Sequence, residues 1–157
     1  MKKNTESILF LIYIFTTFIE INCYSVVSIL RKIEISIGVV SLNDDGILIV
    51  KMNENAIVDV AQVKEQHEAA LMLTEGKKYA VLIDARATIS ASPEARAYGA
   101  LPELYPNILA QAILVNSLAN KLMGNFYIKF NKPPVPAQLF QTEKAAMDWL
   151  REKMKLI

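Results

Sequence analysis

The residues best suited to chemistry lie together in "VLIDARATISASPEARAYG", residues 81–99. Asp84 and Arg86 end an apolar run, Thr88, Ser90 and Ser92 supply hydroxyls, and Pro93 and Arg96 follow. A hydroxyl beside a helix start is a candidate for phosphorylation, because unpaired backbone N–H groups favour negative charge there. The Ser92-Pro93-Glu94 order is also a helix-start device: serine caps, proline opens the first turn, and the acid faces the positive end of the helix. Capping accounts for Ser92, and Glu94 would oppose a phosphate beside it. Ser90 is therefore the better regulatory candidate. Asp84 ends a strand at a loop, where α/β folds often place ligands. No nucleophile–base pair accompanies it, so bonding the loop backbone or pairing with Arg86 or Arg96 to fix the turn is its simpler role.

Elsewhere the chemistry-bearing residues are sparse. One cysteine, Cys23, excludes an internal disulfide, and one histidine, His67, excludes a multi-histidine metal site. His67 falls on the apolar stripe of an expected helix, a boundary or core position. Asn125, Asn131 and Lys132 bracket the stiff "NKPPVP" segment, where they either hold an anionic ligand or position the connector. The five glycines are too scattered for a phosphate-cradling loop, and no nucleotide, EF-hand or triad pattern is present. The expectation is a non-enzymatic chain, with no catalytic, cofactor-binding or metal-binding residue assigned and no cofactor. An enzyme would need Asp84, His67 and Arg86 to converge in one cleft.

These residues must be positioned by alternating short elements. "IEISIGVVSL" (33–42) and "GILIVKM" (46–52) are rich in β-branched residues, and "NDDG" between them makes a hairpin turn. Asp59 caps a helix to about Leu73, with Val60, Val63, His67, Ala70 and Leu71 forming one stripe. "YAVLIDA" (79–85) and "AQAILVN" (110–116) read as strands buried on both faces. The helix after Ser92 is weakened by Gly99 and Pro102. Ser117 starts a helix to about Phe130, with Leu118, Leu122 and Phe126 one turn apart on its apolar side and Gly124 as a close-packing point. "AQLF" (137–140) is a last strand. Thr142 caps a terminal helix with Ala146, Trp149, Leu150 and Met154 on one stripe. Strands linked by helices favour parallel pairing.

The chain of 157 residues suits one domain with a sizeable core. Seventeen basic against sixteen acidic residues leave a formal charge of +1, which gives no electrostatic footprint for nucleic acid. The 53% hydrophobic content is above the globular norm, and much of that excess lies near the N-terminus. There a basic start precedes an apolar run, Ile8–Ile19, shorter than the roughly 20 residues that span a bilayer. A targeting segment, a membrane anchor and sequence upstream of a later natural start all fit residues 1–32. Residues 33–157 form the domain. Its expected location is cytoplasmic, with anchoring or export through residues 1–25 as the alternative, and membrane contact follows only if 8–19 is a true anchor.

The order of elements, with "NDDGIL", "VLIDAR" before "SPEARAY", "AILVNS" leading into "GNFYIKFNKPPVPAQLF", and the final "AAMDWL", resembles the STAS domains of anti-sigma-factor antagonists and the related SEC14-like fold. More narrowly, it resembles uncharacterised bacterial SpoIIAA-like proteins over about residues 35–155. The resemblance implies a single α/β STAS/SpoIIAA-like domain: a mixed, mostly parallel sheet with an N-terminal β-hairpin and about four helices. In antagonist STAS domains a serine or threonine at the helix start after the third strand is phosphorylated to release a partner. By position that region holds Ser90 and Ser92, although this chain has a longer loop than the antagonists' short Asp-Ser-(Ser/Thr)-Gly turn. The resemblance implies a regulatory or interaction module that binds a protein partner or a second copy through a helix face and the 86–92 loop. The alternative is a carrier or sensor of a small or lipid-like ligand.

Overall fold

The computed structural model of the protein describes residues 31–87 and 90–156. The segment expected to target or anchor the chain therefore lies, but for residues 31 and 32, outside the described residues, as does Thr88. A six-stranded sheet runs β1 (Lys32–Ile35), β2 (Gly38–Leu42), β3 (Ile47–Met52), β5 (Tyr79–Asp84), β7 (Ile108–Leu114), β8 (Ala137–Phe140) in spatial order. The first three strands are antiparallel neighbours, and β3, β5, β7 and β8 are parallel. A two-residue pair, β4 (Ile57–Val58) with β6 (Ser90–Ala91), stands apart from it. Among the described residues four α-helices pack with the strands: α1 (Val60–Thr74), α2 (Pro93–Tyr98), α3 (Leu118–Phe126) and α4 (Glu143–Lys155).

The expected strand 33–42 is in fact two strands folded at Ser36–Ile37. Periodicity alone hid the fold-back because Gly38 carries it: φ is +155°, and a Cβ there would stand 2.1 Å from the Lys51 carbonyl oxygen. Only glycine fits such an approach. The Ser36 backbone N–H then donates to Glu65 Oε1 at 2.9 Å, tying this turn to α1. The "NDDG" turn forms as expected, closed by Ile47 N–H donating to Asn43 Oδ1 at 2.8 Å, with Gly46 at φ +77°.

Alternation along the strands separates two layers of core. Ile47, Ala80, Leu82, Ala110, Ala112 and Leu114 meet Ala146 and Leu150 of α4 on one face. Val40, Leu48, Val50 and Val81 meet Ala69, Ala70 and Leu73 of α1 on the other. The α4 stripe forms as read, with Ala146 and Leu150 fully buried and Trp149 packed at 5.5 Å against Phe140. The α1 stripe forms in part, with Val63, His67 and Ala70 facing inward, and the α3 stripe does not. Leu71 is exposed, while Ala69 and Leu73 are buried in its place. Leu118, Leu122 and Phe126 also point outward, and Asn120 and Gly124 are the buried positions of α3. Gly124 does pack closely: a Cβ there would meet Leu139 at 2.7 Å. The small residue and the amide face the sheet, so the large apolar residues of α3 are left on the opposite side.

Candidate functional site

A half-open hollow of about 180 Å³ lies between the sheet and helices α1, α2 and α3. Its origin is local. Helix α2 is only six residues long, stopped by Gly99 and a 3-10 turn at Pro102–Leu104. The surrounding helix and loop positions are small: Ala70, Ala85, Ala91, Ala95, Gly99 and Gly124. Well-packed interiors leave few voids larger than a water molecule, so a space of this size is a feature of the site. Leu48, Val81, Ile83 and Ile113 form the apolar floor, and Val63 and His67 of α1 form one wall.

One end of the hollow is polar. Tyr105 and Tyr127 bring their hydroxyls to 2.9 Å, and the Gly99 carbonyl lies 2.8 Å from the first and 3.1 Å from the second. Tyr105 Oη also lies 3.1 Å from Gln111 Oε1, to which it can donate. Each hydroxyl has one proton, so these contacts cannot all be donated at once. Tyr127 donating to Gly99 and Tyr105 donating to Gln111 satisfies both carbonyl oxygens. Burial pushes both phenols above their ordinary range, and Tyr79 up to about 12, so all three remain neutral donors near pH 7. His67 is shifted down, chiefly by burial, which favours neutral imidazole.

Arg96 also lines the hollow. Its Nη1 donates to the Ala91 carbonyl, its guanidinium sits 5.4 Å from the Phe126 ring centroid, and its buried Nε has no hydrogen-bond partner. It does not reach Asp84 as an ion-pair partner. That role belongs to Arg86, whose Nε and Nη2 donate to the two Asp84 carboxylate oxygens at 2.8 and 2.7 Å. Arg86 Nη2 also approaches Glu143 Oε2 at 3.5 Å. Asp84 is held below the usual carboxylate range, first by the Arg86 hydrogen bond. Alternation along β5 sends Val81 and Ile83 to the hollow and Ala80 and Leu82 to the α4 face. Asp84 continues the second set, so the structure does not gather Asp84 and Arg86 with His67 in one cleft.

The loop hydroxyls have separate positions. Ser92 caps α2, accepting from the Ala95 N–H at 3.1 Å. Ser90 is exposed in β6, where its N–H donates to the Ala56 carbonyl at 3.0 Å. Asn125 is exposed on α3. Asn131 ends a π-helical turn, Tyr127–Asn131, with its Oδ1 buried and unpartnered. Lys132 follows in a left-handed conformation, its N–H donating to the Tyr127 carbonyl at 3.2 Å. These three residues do not share the hollow's lining. Among the described residues no cluster of His, Cys, Asp and Glu is arranged to hold a metal ion. Sequence reasoning missed Tyr105, Gln111, Asn120 and Tyr127. Gln111 alone carried a signal, as the single polar residue in the apolar strand "ILAQAIL". Buried Asn120 donates to the Ala85 carbonyl at 2.7 Å and pins α3 to the end of β5.

A mixed α/β sheet covered by three helices on one face and one on the other defines a SpoIIAA-like fold. The same fold is found in an uncharacterised protein of the DUF3478 family from Shewanella loihica PV-4. That protein is 21% identical, with a TM-score of 0.50 over 73% of this chain and 92% of its own. A protein of unknown function from Arthrobacter sp. FB24 aligns over 71% of this chain and 96% of its own, at 22% identity and a TM-score of 0.27. The chain belongs to the family described as Domain of unknown function (DUF7793), which matches residues 40–154. No curated protein matches it. Among the described residues no helix is long and apolar enough to cross a membrane.

Proposed function

We propose that this domain is a non-catalytic binding module that takes a small, mainly apolar molecule into the hollow beneath α1–α3. The observation that carries this reading is the hollow itself: apolar floor, polar end, and small residues that leave the space unfilled. Ligand sites are typically concave and mostly apolar with a few convergent polar groups. This favours the carrier or sensor alternative over a switch in the 86–92 loop. Arg86 there is held by Asp84, and the Ser92 hydroxyl is occupied as a cap. The test is titration of the full chain with benzyl alcohol and hexanol, followed by amide and methyl NMR shifts. Saturable shifts centred on Val63, Ile83 and Tyr127, abolished by Val63→Phe, support the reading. Shifts that map elsewhere, or survive the filled cavity, reject it.

A second reading rests on α3. Leu118, Leu122, Phe126 and Phe130 form an outward stripe, with exposures of 74, 62, 45 and 62%. A continuous apolar surface of this kind suits a protein partner or a second copy of the chain. It replaces the loop as the better interaction surface.

A further inference from the structure

Resting on the cavity reading, we propose that the ligand is a small carboxylic acid bound as its anion, its tail on the apolar floor and its carboxylate held by Arg96 and the Tyr105 hydroxyl. Three observations converge. Among the described residues lining the hollow, Arg96 bears the only formal charge at neutral pH, and no carboxylate is present. An anion is therefore matched there, and a cation would be buried beside a guanidinium. Arg96 makes no ion pair among the described residues, and its Nη1 is engaged only by the Ala91 carbonyl. A guanidinium that no carboxylate engages offers an anion a charge-assisted bond, about twice as strong as a neutral one.

The tyrosine pair supplies the second donor. Either hydroxyl alone can satisfy the Gly99 carbonyl. With Tyr127 assigned to that carbonyl, the Tyr105 proton can turn from Gln111 toward an incoming oxygen, giving up its bond to Gln111 Oε1 for a charge-assisted one. Size limits the tail. A dry cavity of about 150 Å³ takes up benzene, so about 180 Å³ suits one ring or a short chain rather than a long acyl chain.

The test compares carboxylate, alcohol and amine versions of the same two tails by calorimetry at pH 7.5. The probes are hexanoate and benzoate, hexanol and benzyl alcohol, and hexylamine and benzylamine. The expected result is carboxylate binding at least tenfold tighter than either counterpart, with Arg96→Gln erasing that preference while alcohol binding persists. On the unmutated protein, saturation with the carboxylate should also move the Arg96 Nε–H resonance, a readout independent of any variant's folding. Alcohols binding as tightly as carboxylates, or an unmoved Arg96 signal, overturn the carboxylate assignment and leave the cavity reading intact. Failure of all six probes to bind at millimolar concentration overturns both.

Discussion

Tyr105 and Tyr127, 22 residues apart in sequence, place their hydroxyls 2.9 Å from each other and share the Gly99 carbonyl as a partner. One hydroxyl belongs to the loop before β7 and the other to the turn after α3, so the pair joins two connections across the end of the hollow. It also makes that end redundant in donors.

Redundancy predicts non-additive mutations. Tyr127→Phe leaves Gly99 with Tyr105 and should cost about 1 kcal/mol. Tyr105→Phe should cost somewhat more, because Gln111 Oε1 loses its hydroxyl donor. The double variant removes both donors from Gly99 and should exceed the sum of the singles by roughly 1 kcal/mol. Urea unfolding of the four proteins measures that coupling. Strict additivity would show that the two hydroxyls do not share an acceptor.

The Asp84–Arg86 pair gives an acid-sensitive contribution. Asp84 titrates lower in the folded chain than when unfolded, so the stability it contributes is present above the unfolded value of about 3.9 and lost as pH falls through the lower folded value. Asp84→Asn should lower stability at pH 7 by about 1 kcal/mol and flatten the loss of stability below pH 4. Unfolding midpoints between pH 2 and 7 decide it. Parallel curves for the two proteins would mean the carboxylate contributes nothing specific.

The two loop serines should separate cleanly. Ser92→Ala removes the acceptor for the Ala95 N–H and should cost about 1 kcal/mol. Ser90→Ala, at an exposed site with only its backbone engaged, should stay within about 0.5 kcal/mol. Equal melting shifts for both variants would contradict the cap assignment.

Gly38→Ala should be among the most damaging single changes, costing at least about 2 kcal/mol. The added methyl meets the Lys51 carbonyl oxygen, a backbone atom that cannot swing aside. By contrast, Leu122→Glu on the exposed stripe should leave the melting temperature nearly unchanged. If that stripe is an interface, the same substitution should abolish self-association or partner capture measured by light scattering. A variant that still associates would assign the interface elsewhere.

The sequence made strand identity, the "NDDG" turn, the Ser92 cap and the α4 stripe legible, because each is a local pattern read over a few residues. It misled where a stripe had to be assigned an inside and an outside. Leu118, Leu122 and Phe126 repeat at helical spacing whichever way α3 faces, and the direction is set by Gly124 against Leu139 and Asn120 against Ala85. Those are tertiary contacts with no sequence period. The hollow was illegible for a related reason. It arises from the shortness of α2 and from small residues on different elements, and Tyr105 meets Tyr127 only once β7 and α3 between them are in place.

The α4 face of the sheet is filled by interdigitating Ala and Leu side chains, whereas the opposite face borders the half-open hollow and its incompletely filled space. Hydrostatic pressure acts on that asymmetry, since eliminating internal void is what makes unfolding reduce the system's volume. Compression should therefore loosen α1, α2 and α3 before it disturbs α4, and a molecule seated in the hollow should raise the pressure the domain withstands.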